Sequence, residues 1–151
     1  MNIQWILLFF VFSCLSSQKF EKLLKPEKNF GLLYVLRSFN PTLSLYKVDI
    51  QIWKYEKHFK DKKKNLLKEF SLSTGEFVVL VLEEGFYEIF ILNNHFSHIF
   101  YLEKGNRIFK NITIVSKDFF SIADFFIETI DSEKAVYYFL EGTKMSQKII
   151  Q

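Results

Sequence analysis

Short apolar runs and alternating apolar and polar residues follow one another along most of the chain after residue 30. The runs FGLLYVLR at Phe30–Arg37 and FVVLVL at Phe77–Leu82 are bounded by turn-forming residues, which predicts buried strands. Leu43–Trp53 alternates apolar with polar side chains, which predicts a strand with one buried face. Leu66–Leu72 predicts a shorter strand whose alternate side chains face water.

Three apolar segments follow with very short connections. They are Phe86–Leu92, Phe96–Leu102 and Arg107–Val115, separated by NN at 93–94 and KGN at 104–106. Asparagine and glycine in two- or three-residue connections are typical of tight hairpin turns. The sequence therefore predicts a meander of successive hairpins over these three strands.

The pattern changes in the last thirty or so residues. Asp118–Ile130 has apolar residues at helical spacing, which predicts an amphipathic helix capped by Ser116 or Asp118; two short strands are the alternative. Val136–Leu140 reads VYYFL and predicts a last strand. Together the segments predict a mainly β fold, a small antiparallel β-sandwich over residues 30–142 with room for one short C-terminal helix. A polar tail is expected over 143–151.

The N-terminus carries a different signal. Ile3–Phe12 reads IQWILLFFVF, an apolar run too short to cross a bilayer as a helix and typical of the core of a secretory signal peptide. The first five residues, MNIQW, contain no lysine or arginine, which a usual signal peptide has. The alternative is a hydrophobic first strand or buried helix of a cytosolic domain.

The end of this run, Val11-Phe12-Ser13-Cys14, resembles a bacterial lipobox: an aliphatic residue, a tolerant position, a small residue and cysteine. Phe12 is bulkier than usual, and in this the motif is similar to the looser lipoboxes of spirochaete lipoproteins. The resemblance implies that residues 1–13 are removed and that Cys14 receives lipid, including palmitate. Two or three acyl chains on Cys14 would anchor the chain stably.

This reading predicts a lipoprotein of the bacterial cell envelope, held in the outer membrane or a periplasm-facing leaflet. Residues 14–29 are then a tether between membrane and domain, because they are polar and Pro26 breaks a long helix. The alternative is an ordinary secretory signal in which Cys14 lies by chance near the cleavage site, leaving an unanchored secreted or periplasmic module.

Two short motifs resemble those of prealbumin-like β-sandwich domains in bacterial lipoproteins of an uncharacterised family. The first is a G-x-x-Y-V-x-R strand after the tether, matched by Gly31, Tyr34, Val35 and Arg37. The second is a Gly-x-Tyr step, matched by Gly85, Phe86 and Tyr87, although the family usually has Pro-Gly where this chain has Glu84-Gly85. The resemblance implies a sandwich fold and carries over no catalytic residues.

Composition narrows the function classes further. The chain has 151 residues, enough for one domain, and its net charge of +3 does not indicate a nucleic-acid-binding protein. One cysteine excludes an intramolecular disulfide framework and an all-cysteine metal site.

No catalytic motif stands out. His95 and His98 form an H-x-x-H that suits zinc on a helix, but at a strand start the two rings point to opposite sides. Glu83 and Glu84 are adjacent and cannot face each other across a substrate. We therefore expect no enzyme, no metal and no cofactor.

The segment from Lys54 to Asn65 carries six lysines and two acidic residues. Such a run could contact anionic lipid headgroups or another polyanion, and the candidate contact residues are Lys57, Lys60, Lys62, Lys63 and Lys64. The alternative is a solvated hairpin loop whose lysines discourage edge pairing. The expected function is a non-enzymatic binding or structural role at the membrane, with an envelope protein or polyanion as partner.

Overall fold

The computed structural model describes residues 18–115, 124–141 and 144–150. Cys14 and the predicted signal peptide lie outside these residues, as do Ser116 and Asp118.

Ten strands and one α-helix make up the described chain. In order they are β1 Gln18–Lys19, β2 Phe30–Arg37, β3 Val48–Tyr55, β4 Lys64–Leu72, β5 Glu76–Glu83, β6 Gly85–Ile91, β7 Phe96–Leu102, β8 Arg107–Val115, β9 Asp124–Ile130, α1 Ser132–Leu140 and β10 Ser146–Gln147.

The strands form two sheets. One has six strands in the order β1-β10-β5-β2-β8-β9, and the other has four in the order β4-β3-β6-β7. The mainly β, sandwich-like fold predicted from the sequence is confirmed. Most pairings are antiparallel, but β2 pairs with β8, and β10 with β5, in parallel.

The main core lies between the two sheets. Each strand contributes alternate side chains, as period-two geometry requires, so Val48, Ile50 and Ile52 of β3 are fully buried there. From the six-stranded sheet, alternate residues of β2, β5 and β8 face them, among them Leu33 and Ile112. The alternation predicted for this part of β3 is thus confirmed.

A second core covers the outer side of the six-stranded sheet. Helix α1 packs there with Ala135 and Phe139 buried, one helical turn apart on the same face. The Phe139 ring lies 4.5 Å from that of Phe20 and 4.7 Å from that of Phe77, measured between centroids. Burial of several aromatic rings stabilises this layer, since each removes a large apolar area from water.

Both ends of the described chain join this layer. Gln18 and Lys19 pair with β10, Phe20 is buried, and the Leu24 amide donates to the Tyr34 hydroxyl at 2.8 Å. Residues 18–24 of the predicted tether therefore lie against the domain. The predicted polar tail includes β10 and the buried Met145 just before it.

The predicted three-stranded meander is wrong. β6 and β7 form a hairpin, but β8 lies in the other sheet, between β2 and β9. The 104–106 turn carries the chain from one sheet to the other, so that inner side chains of β7 and β8 belong to the same core.

The predictions for residues 118–140 are also corrected. Asp124–Ile130 forms strand β9, so the helix prediction is wrong over these residues. Val136–Leu140 belongs to α1, so the last predicted strand is wrong. The Asp131 carboxylate accepts the Lys134 amide at 2.8 Å, which caps the helix, and the burial of Ala135 and Phe139 against the sheet outweighs the β-propensity of VYYFL.

The residues behind the family resemblance have structural roles. A Cβ on Gly31 would meet the Glu103 backbone oxygen at 2.7 Å, so the strand needs glycine where the sheets approach. The buried Arg37 guanidinium donates to the carbonyl oxygens of Leu43, Tyr46 and Leu72, which fixes the 40–47 loop to the sandwich. The Tyr87 hydroxyl donates to the Glu83 carbonyl at 2.7 Å.

Candidate functional site

The two outer sides of the sandwich differ. Helix α1 covers the six-stranded sheet, whereas no described element covers the four-stranded one. We call the latter surface the open face and define it by the outward-pointing residues of β3, β4, β6 and β7, namely Trp53, Tyr55, Lys64, Leu66, Phe86, Glu88, Phe90, Ile99 and Tyr101.

A hydrogen-bonded trio lies at the centre of the open face. The Glu88 carboxylate accepts the Tyr55 hydroxyl at 2.6 Å and the Lys64 ammonium at 2.8 Å. Glu88 is 5% exposed, although it lies on the outer side of its sheet. The surrounding side chains therefore shield this carboxylate from water, and its charge is balanced by Lys64.

The trio shifts the pKa values of its acids. Burial raises the pKa of Glu88, but hydrogen bonds from Lys64, Tyr55 and Ser97 together hold it below its ordinary value. Burial and the Glu88 carboxylate raise the pKa of Tyr55 to about 12. At neutral pH the trio is thus one carboxylate, one ammonium and one neutral phenol, which are binding groups and not a poised acid–base pair.

Aromatic side chains surround one end of the trio. The Phe86 ring lies 4.8 Å from Tyr101, 4.7 Å from His58 and 5.3 Å from Phe59. The Lys64 ammonium lies 5.1 Å from the Trp53 ring centroid, within cation–π range. The open face therefore combines aromatic surface with one shielded ion pair, a composition typical of contact surfaces.

The five lysines of the predicted contact lie in two different environments. Lys57, Lys60, Lys62 and Lys63 are exposed on the loop between β3 and β4, which contains a 3-10 turn at Phe59–Asp61. Lys64 belongs to β4 and pairs with Glu88. The loop therefore carries four exposed lysines, and it lies beside the open face.

A second buried charge lies inside the sandwich. Lys110 of β8 is 2% exposed and points between the sheets, where its ammonium lies 2.5 Å from the Thr129 hydroxyl and 3.0 Å from His98 Nε2. It also lies 4.8 Å from the Phe100 ring centroid. Lys110 thus bridges β7 of one sheet and β9 of the other.

The pKa values of both basic groups are lowered. Burial lowers the pKa of Lys110 to about 8. Burial, followed by the Lys110 charge, lowers the pKa of His98. At neutral pH we therefore expect a neutral His98 that accepts from the Lys110 ammonium.

The two histidines of the H-x-x-H are separated by the fold. His95 lies in the turn before β7 with a positive φ of 56°, while His98 points inward to Lys110. Within residues 18–115, 124–141 and 144–150, no group of three or more His, Cys, Asp or Glu side chains could hold a metal ion.

A groove of about 340 Å³ opens beside the start of α1. Its lining includes Pro26, Arg107, Phe109, Ile130 and Asp131. Asp131 caps α1, so its carboxylate already accepts a hydrogen bond from the helix backbone. The groove is therefore a shallow and mostly polar surface feature beside Arg107.

Sequence reasoning did not single out Glu88 or Lys110. Lys110 shares its period-two phase with Ile108, Ile112 and Ile114, so a charge among inward residues was visible in the sequence. Glu88 lies in the outward phase of β6, and only the pairing with β3 brings Tyr55 and Lys64 around it. No sequence signal predicts that burial.

No family model, curated protein or solved structure matches the chain. Among the described residues, no helix has the length and apolar character needed to cross a bilayer.

Proposed function

We propose that this chain is a lipid-anchored lipoprotein of the bacterial cell envelope that acts by binding and not by catalysis. One observation supports the binding role above others: helix α1 covers one side of the sandwich, and the described residues leave the other side open with exposed apolar side chains. Uncovered apolar surface rimmed by polar groups is typical of interaction sites. Anchoring is supported by the lipobox-like VFSC that ends at Cys14.

The anchoring part is tested by metabolic labelling with a palmitate analogue in the full chain. The wild-type chain should be labelled and should partition into the detergent phase, whereas Cys14→Ser should lose the label. An unlabelled wild-type chain would contradict anchoring and would favour the unanchored secreted or periplasmic module.

The binding part is tested in cells with a photo-reactive residue on each side of the sandwich. A probe at Phe90 lies on the open face, and a probe at Tyr137 lies on the exposed side of α1. We expect discrete adducts with an envelope component from position 90 and not from position 137. If position 90 gives no adduct, or if both positions give the same ones, the open face is not the binding surface.

The lysine loop supports a second, weaker contact with anionic lipid or another polyanion. Lys57, Lys60, Lys62 and Lys63 are exposed on one loop, and a lysine near an anionic membrane contributes about 1 kcal/mol. Lys64 is not part of this proposed contact, because its ammonium already pairs with the Glu88 carboxylate.

This contact is tested with the Cys14→Ser chain and vesicles of phosphatidylglycerol and phosphatidylcholine. Changing the four loop lysines to glutamine should weaken binding to anionic vesicles in a salt-dependent way. The matched control changes Lys22, Lys25, Lys28 and Lys104, which are also exposed. Equal losses in both variants would show that only net charge matters and would contradict a loop-specific contact.

A further inference from the structure

Strand β7 is an edge of the four-stranded sheet. Its seven residues pair with β6 in a continuous register, from Phe96 opposite Ile91 to Leu102 opposite Gly85. Among the described residues β7 pairs with no other strand, so one side of its backbone carries unpaired N–H and C=O groups. Such an edge is a template for another strand.

Other long edges in the described sandwich carry features that discourage pairing. β4 contains Lys64, Lys68 and Glu69, and its register with β3 shifts between Ile52 and Trp53. β9 contains Asp124 and Glu128. Charges and register irregularities are the usual means by which proteins block edge pairing.

β7 has none of these features. Its sequence FSHIFYL contains no lysine, arginine, aspartate, glutamate or proline, and its pairing with β6 shows no register shift. Phe96, Ile99 and Tyr101 are each more than a third exposed. A regular, uncharged edge with exposed apolar side chains is suited to pairing with a further strand.

The inner side of this edge is held in place. His98 points inward and contacts Lys110, which also bonds Thr129 of β9. The histidine of β7 is thus turned away from the outer side, and the strand is fixed to both sheets. The edge is therefore presented as a rigid strand that needs little ordering when a partner binds.

We propose that β7 pairs with β7 of a second copy of this chain, in antiparallel orientation, to form a dimer. The argument for a second copy is charge: self-pairing of β7 brings no like charges together, whereas self-pairing of β4 would set lysines near lysines. Antiparallel self-pairing is also two-fold symmetric, so it closes at two copies. The two four-stranded sheets then form one sheet, and the two open faces become continuous.

The pairing predicts which residues meet. With the two-fold axis at Ile99, this residue faces its own copy, and Ser97 faces Tyr101 of the other chain. Directly opposite residues in antiparallel strands have Cα atoms about 4.5–5.5 Å apart, which a disulfide can span.

Cross-linking through one introduced cysteine in the full chain tests the contact, with the parent chain, which carries Cys14 alone, as the reference. Ile99→Cys, Leu66→Cys on β4 and Phe126→Cys on β9 place a thiol on three strand edges with similar exposure. On mild oxidation of whole cells, Ile99→Cys should give a disulfide-linked dimer well above the level of the parent chain, and the other two should not. The yield of the disulfide-linked dimer should be highest for Ile99→Cys. It should be lower for Ser97→Cys and Tyr101→Cys, because neither of these residues faces its own copy.

The mass of the detergent-purified chain gives an independent readout. The wild-type chain should be dimeric at micromolar concentration, and Ile99→Lys should weaken dimerisation roughly tenfold or more, with Leu66→Lys and Phe126→Lys as matched controls. A monomeric wild-type chain, or equal cross-linking at all three edges, would overturn the proposal. Cross-links from Ile99→Cys to a different protein would overturn it too, because β7 would then accept a foreign strand. These results do not depend on whether Cys14 is acylated.

Discussion

Lys110 places a charge in the apolar core between the two sheets. Its pKa lies near 8, below the ordinary value of 10.5, because burial disfavours the ammonium. The unfolded chain therefore binds more protons than the folded chain between these two values, so the wild-type protein gains stability as pH rises through this window. Below pH 8 the full destabilisation is present, and it amounts to roughly 3 kcal/mol.

Replacing this lysine with a similar apolar side chain should therefore stabilise the protein. Lys110→Met should raise the free energy of unfolding at pH 7 by about 1–3 kcal/mol, and the gain should shrink at pH 10. Urea unfolding at both pH values measures this, with Lys134→Met as a control at an exposed ion pair. A gain that is absent at pH 7, or equal at both pH values, would contradict the assignment of Lys110 as a buried amine.

The same variant should change His98. Part of the lowering of its pKa comes from the Lys110 charge, after the larger effect of burial. Removing that charge should move the His98 pKa upward, toward its ordinary value, in an NMR titration. An unchanged His98 pKa would mean that the two side chains are not in contact.

Glu88 is also a buried charge, and its ion pair has the opposite pH dependence. Its pKa is held below the ordinary value, so its contribution to stability is present above pH 4.5 and is lost as pH falls through the folded-state pKa. Glu88→Gln should lower the free energy of unfolding at pH 7 by about 1–3 kcal/mol, because Lys64 would lose its counter-ion.

The effect of Glu88→Gln should diminish at acid pH, where the wild-type carboxylate is also neutral. Urea midpoints between pH 3 and pH 7 measure this. Glu83→Gln is the control, since Glu83 forms an exposed pair with Lys54 and should change stability little. If both variants behave alike across this range, the shielding of Glu88 by the open face is wrong.

At the level of elements, α1 shows how one side of the sandwich is closed. Phe139 is fully buried against Phe20, Phe77 and Tyr34, whereas Tyr137 on the same helix is 62% exposed. Phe139→Ala should lower the free energy of unfolding by about 3–5 kcal/mol, through lost burial and the cavity left behind. Tyr137→Ala should change it by less than about 0.5 kcal/mol.

Thermal or urea unfolding of the two variants measures this contrast. Similar losses in both would mean that α1 does not cover the six-stranded sheet. A loss in Phe139→Ala alone would support the asymmetry from which the open face is inferred.

The elements also indicate what the sequence could predict. The strands β2, β5, β7 and β8 begin and end within a residue or so of the predicted runs, because each is apolar and bounded by turn residues. β3 begins only at Val48, since the preceding loop is fixed by Arg37, a contact that local pattern does not reveal. The change at 124–140 has the same origin: packing on a sheet decides between helix and strand when both patterns are present.

Connectivity was less predictable than the strands themselves. The turns at 93–94 and 104–106 look alike in sequence, yet the first closes a hairpin and the second crosses between sheets. Which of the two occurs depends on whether the following strand pairs with its neighbour or with β2, sixty or more residues earlier. Long-range pairing of this kind leaves little trace in a short segment.

The whole molecule combines an anchor predicted at Cys14 with a sandwich that has one covered and one open side. The tether between them would be short, since Gln18 and Lys19 already pair with β10. Anchoring would therefore hold the domain close to the bilayer.

Mass spectrometry of the mature N-terminal peptide, from the protein purified out of bacterial membranes, tests the lipid anchor at Cys14. We predict a chain that begins at Cys14 and carries diacylglycerol on its thiol, with a further acyl chain on its amine. An unmodified Cys14, or a mature chain that begins at any other residue, would contradict it.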